Sequence, residues 1–170
     1  NIRYVTPEQL GEPLDLSVVD VSFISLKIVL PAIKALLKPT GQVLCLIKPQ
    51  FEAGKEKVGK KGVVRDPQTH LEVLEQFVIL AHEQQFHILG LTFSPVKGPE
   101  GNIEFLAHLT LNDFPESCPN PADVVRQQVH PRTLSRAVRS EDPVHAFCQR
   151  HRQMIECKRL AIILCQIFYL

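Results

Sequence analysis

Two short apolar runs, Leu16-Ser17-Val18-Val19 and Val43-Leu44-Cys45-Leu46-Ile47, each lead straight into a charged residue, Asp20 and Lys48. Runs this apolar and this short fit strands covered on both faces, as in parallel sheets, rather than strands with one wet face. Between them, Leu26 to Leu37 carries Ile28, Ile33, Leu36 and Leu37 at helical spacing. Pro31 fits that helix only in its first turn, and Lys38, Pro39 and Gly41 stop it. Strand, helix and strand in this order require a crossover with the two strands parallel, which confines the chain to the α/β class.

The chain then continues into a long connection, PQFEAGKEKVGKKGVVR, with five basic residues against one acidic between Lys55 and Arg65. This predicts a mobile, basic loop. Asp66-Pro67 supplies an N-cap followed by proline at the first helical position, and Leu71, Leu74, Phe77, Val78 and Ala81 trace one face of a helix to about Gln85. Phe86 to Val96 and Ile103 to Leu111 read as strands, with KGPEGN a tight loop between them. That loop is too short for a crossover, so the last pair is antiparallel. The expected architecture is a Rossmann-like, doubly wound sheet with an antiparallel final strand. Such domains place a Gly-rich turn in their first βα unit, and none opens this chain, so the reading expects the first half of the sheet to lie upstream of Asn1. A strand at 15–23 then has an unpaired edge, which predicts self-association.

Composition changes near residue 114. All eight Gly lie before it, and the segment after it holds four of the five Cys and seven of the nine Arg but one Lys. The expectation is a C-terminal part of an α/β domain over 1–113 and a divergent, poorly ordered tail over 114–170. The formal net charge of +1 gives no global attraction to nucleic acid or membrane. No apolar run reaches the roughly 18 to 20 residues of a bilayer span, and the N-terminus lacks the order of a secretory signal, so a soluble, cytoplasmic chain is expected. Five Cys without a close CxxC pair argue against a disulfide framework and a standard zinc module; Cys148, His151 and Cys157 match no finger spacing.

Asp20, Lys48 and Glu104 all sit at or beside strand ends. Because Asp20 and Lys48 close parallel strands while Glu104 opens an antiparallel one, the topology puts all three on the sheet edge where ligands bind in open α/β folds. A lysine there is a candidate general base where the site is dry, while flanking carboxylates orient its ammonium. Each residue alone also fits a solvated sheet rim, and the basic loop alone fits a solvated connector. Ser22 and Ser25 have no histidine placed to make a Ser/His pair, and His82 and His87 border the helix as surface residues.

DVSFISL (20–26), LIKPQFEAG (46–54), VGKKGVVRDP (58–67) and GPEGNIEFLAHL (98–109) together resemble the hemolysin-A (TlyA) family of rRNA methyltransferases, which belongs with the FtsJ-like ribose 2′-O-methyltransferases. The resemblance spans residues 1–111. It implies a Rossmann-like methyltransferase fold, S-adenosylmethionine as cofactor, and a Lys-Asp-Lys-Glu catalytic tetrad of which Asp20, Lys48 and Glu104 match the last three members. It further implies cofactor contacts from Asp20, Val21 and Ser22, and contacts to ribosomal RNA or a ribosomal subunit from Lys55, Lys57, Lys60, Lys61 and Arg65. The family's first tetrad Lys, Gly-rich turn and N-terminal RNA-binding domain would all precede Asn1. Two other readings remain at this stage: an RNA-binding fragment without turnover, and a hemolysin, for which no span or cationic amphipathic helix speaks. No membrane contact and no metal are expected.

Overall fold

The structure, a computed structural model, describes residues 2–113 and 118–128 together with the backbone of 160–163. A 3-10 turn at Ile2–Tyr4 and a single helical turn, α1 (Pro7–Leu10), precede strand β1 (Leu14–Val19). Helix α2 (Leu26–Leu36) runs directly into strand β2 (Leu37–Ile47), which is followed by the short helix α3 (Pro49–Glu52) and the long helix α4 (Pro67–Glu83). Strands β3 (His87–Phe93) and β4 (Phe105–Thr110) come next, then helix α5 (Pro121–Gln128) and strand β5 (Leu160–Ile163).

The sheet order is β3-β4-β2-β1-β5. β1 and β2 are parallel, and β4 is antiparallel to both of its neighbours, as the loop-length argument requires. The two faces are separately apolar. Val43, Cys45 and Ile47 of β2 and Phe105, Ala107 and Leu109 of β4 point into the main core with α2 and α4. Leu44, Leu106, Leu16 and Val18 form a smaller cluster on the opposite face. Strict alternation between two apolar faces explains why these strands read as continuous hydrophobic runs.

Helix α2 differs from its sequence reading in two ways. Its buried face is Leu26, Val29, Leu30, Ile33 and Leu36, while Ile28 is half exposed. Pro31 lies in the helix interior rather than its first turn, on the solvent side. Ser25 caps the N-terminus by accepting from the Lys27 N–H. The segment Lys38-Pro39-Thr40-Gly41 is an irregularity within β2, whose register to β1 jumps from Leu14↔Leu37 to Leu16↔Gln42. Helix α4 begins as read, with Asp66 accepting from the Gln68 and Thr69 N–H groups and Pro67 at the first helical position.

The basic connector is anchored at its end, where Val63 and Val64 are buried. Two further expectations meet a different outcome. The far edge of β1 is paired, with β5 running parallel to it from Leu16↔Leu160 to Val19↔Ile163. Ordered packing also extends past residue 113, since Val124 and Val125 of α5 join the main core. Cys148, His151 and Cys157 lie outside the described residues. Among the described residues no helix is long and apolar enough to cross a membrane, and no cluster of potential metal ligands occurs.

Candidate active site

Asp20 and Lys48 are the residues next after β1 and β2, and parallel pairing of those strands places them side by side. Lys48 Nζ lies 2.5 Å from Asp20 Oδ1 and donates to Ser22 Oγ at 3.3 Å. The Lys48 side chain is 11% exposed and the Asp20 side chain 42% exposed, so the pair is buried from the lysine side and open from the aspartate side. Ser22 is half-buried and Val21 buried against the core.

Glu104 reaches the same edge from the other direction, one residue before β4. Its direct contact is Gln50, whose Nε2 donates to Glu104 Oε1 at 3.0 Å. Burial pushes the Glu104 carboxyl above the ordinary glutamate value; the Gln50 bond and the Lys48 ammonium oppose that shift, and the Asp20 charge adds to it. The structure therefore brings all three residues chosen from sequence to one edge, Asp20 and Lys48 as an ion pair and Glu104 near enough to feel their charges but bonded to Gln50 rather than to Lys48. The other side of the glutamate is closed by Gly98, where a Cβ would stand 2.3 Å from Glu104 Oε1.

Two loops carry this arrangement, and Glu52 joins them. Its carboxylate accepts from the Ser25 hydroxyl at 2.7 Å and from the Leu26 N–H at 2.8 Å, so α3 is fastened to the start of α2. Burial raises the Glu52 carboxyl while these two bonds lower it. Phe23, between Ser22 and that junction, is 72% exposed with φ 61°, a left-handed conformation unfavourable for an aromatic residue. Its ring packs on Phe51 of α3 with centroids 4.9 Å apart. Lys55, Lys57, Lys60, Lys61 and Arg65 are all exposed, and Lys57 is ion-paired with Glu72.

Gln50, Glu52, Phe23 and Gly98 were not singled out by sequence reasoning. All four stand inside the motifs quoted above, which is the available signal for them; their partners are 26 to 54 residues away in the chain or, for Gly98, depend on the fold of one loop.

A largely buried lysine held by a carboxylate at the carboxyl ends of parallel strands, with a buried glutamate on the same side, occupies the edge where open α/β sheets bind ligands. The FtsJ-like methyltransferase family matches residues 1–111, and the chain belongs to that family. It is 47% identical to YqxC of Bacillus subtilis over 110 residues, covering 64% of this chain and 39% of YqxC. It is 40% identical over 130 residues to TlyA of Mycobacterium tuberculosis, named a 16S/23S rRNA (cytidine-2′-O)-methyltransferase, covering 76% of this chain and 48% of TlyA. The crystal structure of a protein from Lactococcus lactis that carries the hemolysin name superposes with a TM-score of 0.71 at 39% identity, over 76% of this chain and 64% of that one. The chain thus spans about half the length, or less, of the curated relatives it matches.

Proposed function

We propose that the chain forms the proton-handling part of an S-adenosylmethionine-dependent methyltransferase that acts on a ribose 2′-hydroxyl of ribosomal RNA. The observation that carries this reading is the Lys48–Asp20 ion pair at the ligand edge of the sheet, with Glu104 held beside it. Lys48 meets the 2′-oxygen and, as the neutral amine, takes its proton or, as the ammonium, donates a hydrogen bond to the negative charge that develops on it; Asp20 orients the Lys48 head group, and Glu104 completes the acidic surround. Most of the acceleration comes from aligning the oxygen with the methyl group.

Bound S-adenosylmethionine supplies an electrophilic methyl on a sulfonium. The open carboxylate of Asp20 and the hydroxyl of Ser22, with Val21 behind them, suit the cationic end of that molecule. Phe23 offers an exposed ring face beside the pair, a stacking surface for a base of the substrate, and Lys55, Lys57, Lys60, Lys61 and Arg65 follow the RNA backbone. Such a substrate places the protein in the cytoplasm with the ribosomal subunits. A second reading, RNA binding without turnover, rests on the exposed cations of the basic loop, which attract a phosphate backbone whether or not a methyl group is transferred.

The deciding experiment incubates the protein with methyl-labelled S-adenosylmethionine and ribosomal RNA, then separates the digested nucleosides. Label in 2′-O-methylated nucleosides supports the first reading. RNA retained on the protein with no label transferred supports the second, and label confined to base-methylated nucleosides contradicts both.

A further inference from the structure

Asn102 stands two residues before Glu104 and is 3% exposed, with every polar atom of its amide engaged. Its Oδ1 accepts from the Val64 N–H at 3.1 Å, and its Nδ2 donates to the Gly62 carbonyl at 2.9 Å and the Pro99 carbonyl at 3.1 Å. One side chain thus ties the basic loop to the loop that carries Gly98 and Glu104. The Gly62 N–H closes a turn onto the Gly59 carbonyl, with Gly62 at φ 72°, and the Gly59 N–H donates to Val63. Beneath the turn the His70 ring, buried against Phe105, lies 3.1 Å from the Val64 carbonyl through Nε2 and 3.1 Å from Gln128 Nε2 through Nδ1.

The fastened loop surrounds an open concavity of about 400 Å³ lined by Lys57, Lys60, Lys61 and Arg65, with Asp66 the single acid. Lys57 is neutralised by Glu72, whereas Lys60, Lys61 and Arg65 have no ion-pair partner among the described residues. Three unpaired cations on a loop whose backbone is pinned from beneath form a shaped anion cradle.

We propose that Asn102 is a positioning residue that holds this cradle in the shape taken by the phosphates of an RNA backbone, and sets its distance from Glu104. The proposal rests on the RNA-substrate reading above. Without Asn102, Val64 and Gly62 lose their tether, and the cations spread over many arrangements instead of one.

The test uses the 170-residue protein and a fluorescein-labelled RNA hairpin, with binding followed by anisotropy across a salt series. Each phosphate contact contributes about −0.7 to −0.9 to the slope of log affinity against log salt. Asn102→Ala is expected to weaken binding about tenfold and flatten that slope by about one unit. Hydrogen exchange read at the Val64 amide should accelerate while the Leu74 and Ala81 amides of α4 keep their protection. Asn102→Asp keeps the volume and the acceptor for Val64 but replaces both donated bonds with carboxylate against carbonyl, so it should fall between. It serves as the measurement if the alanine variant loses protection throughout. Faster Val64 exchange with an unchanged salt slope would assign Asn102 a merely structural role and overturn the proposal. Unchanged Val64 exchange would overturn it as well. Absence of salt-dependent RNA binding by the unmodified protein would instead overturn the substrate reading itself.

Discussion

At the scale of single residues, Gly98 and Glu104 form the most sensitive contact of the site. Gly98 has φ −70°, so its backbone accepts alanine, but the new Cβ would occupy the place of the carboxyl. Gly98→Ala is therefore expected to displace Glu104 and lower methyl transfer roughly 10-fold to 100-fold, with the circular dichroism spectrum unchanged. Glu104 also links stability to pH. Because burial raises its folded-state pKa above 4.5, the folded state binds its proton more tightly than the unfolded chain does, and stability falls as pH rises from that value through the raised one. Glu104→Gln removes this contribution, so denaturant midpoints measured from pH 4 upward should decline less steeply than in the unmodified protein. Phe23→Ala should weaken RNA binding by about 1 to 3 kcal/mol, read by anisotropy, since the exposed ring is available to stack on a base. The three charged residues could be chosen from the sequence because each stands at a strand end. Gln50 could not, since its role is a bond to a residue 54 positions away that only the folded sheet brings near.

Among the elements, helix α2 is the one whose sequence conflicts with its structure. Pro31 provides no N–H for the Lys27 carbonyl one turn back, yet the helix persists because Leu26, Val29, Leu30, Ile33 and Leu36 are almost fully buried. Tertiary packing outweighs the local cost. Pro31→Ala restores that bond on the exposed side and should stabilise the protein by roughly 1 to 3 kcal/mol, measured as a raised denaturant midpoint. Helix α4 is the contrary case, legible from Asp66-Pro67 onward because its cap is local chemistry. Yet His70 and Val73 belong to its buried face, and spacing alone did not single them out, because what buries His70 is the distant Gln128 and Phe105. What anchors the basic loop is hidden from the sequence for the same reason. Its charges are in the sequence, but its tether, Asn102, lies 38 residues from Val64.

For the whole molecule, strand direction follows from connection lengths, which are local properties, whereas the order that sets β4 between β2 and β3 does not. What covers the far side of β1 did not follow: β5 pairs there from a segment whose composition differs from the rest of the chain. The placement of chemistry depends on the directions, which are legible. β1 and β2 run parallel and β4 runs against them, so one edge collects the ends of two strands and the start of a third. Methyl transfer to ribosomal RNA by Lys48→Ala, measured in single turnovers against the unmodified protein, tests the assignment of this edge most directly. The loss of a group that handles the 2′-hydroxyl proton should slow 2′-O-methylation about 100-fold to 10,000-fold while RNA affinity changes little. An unchanged rate of 2′-O-methylation in Lys48→Ala would contradict the account.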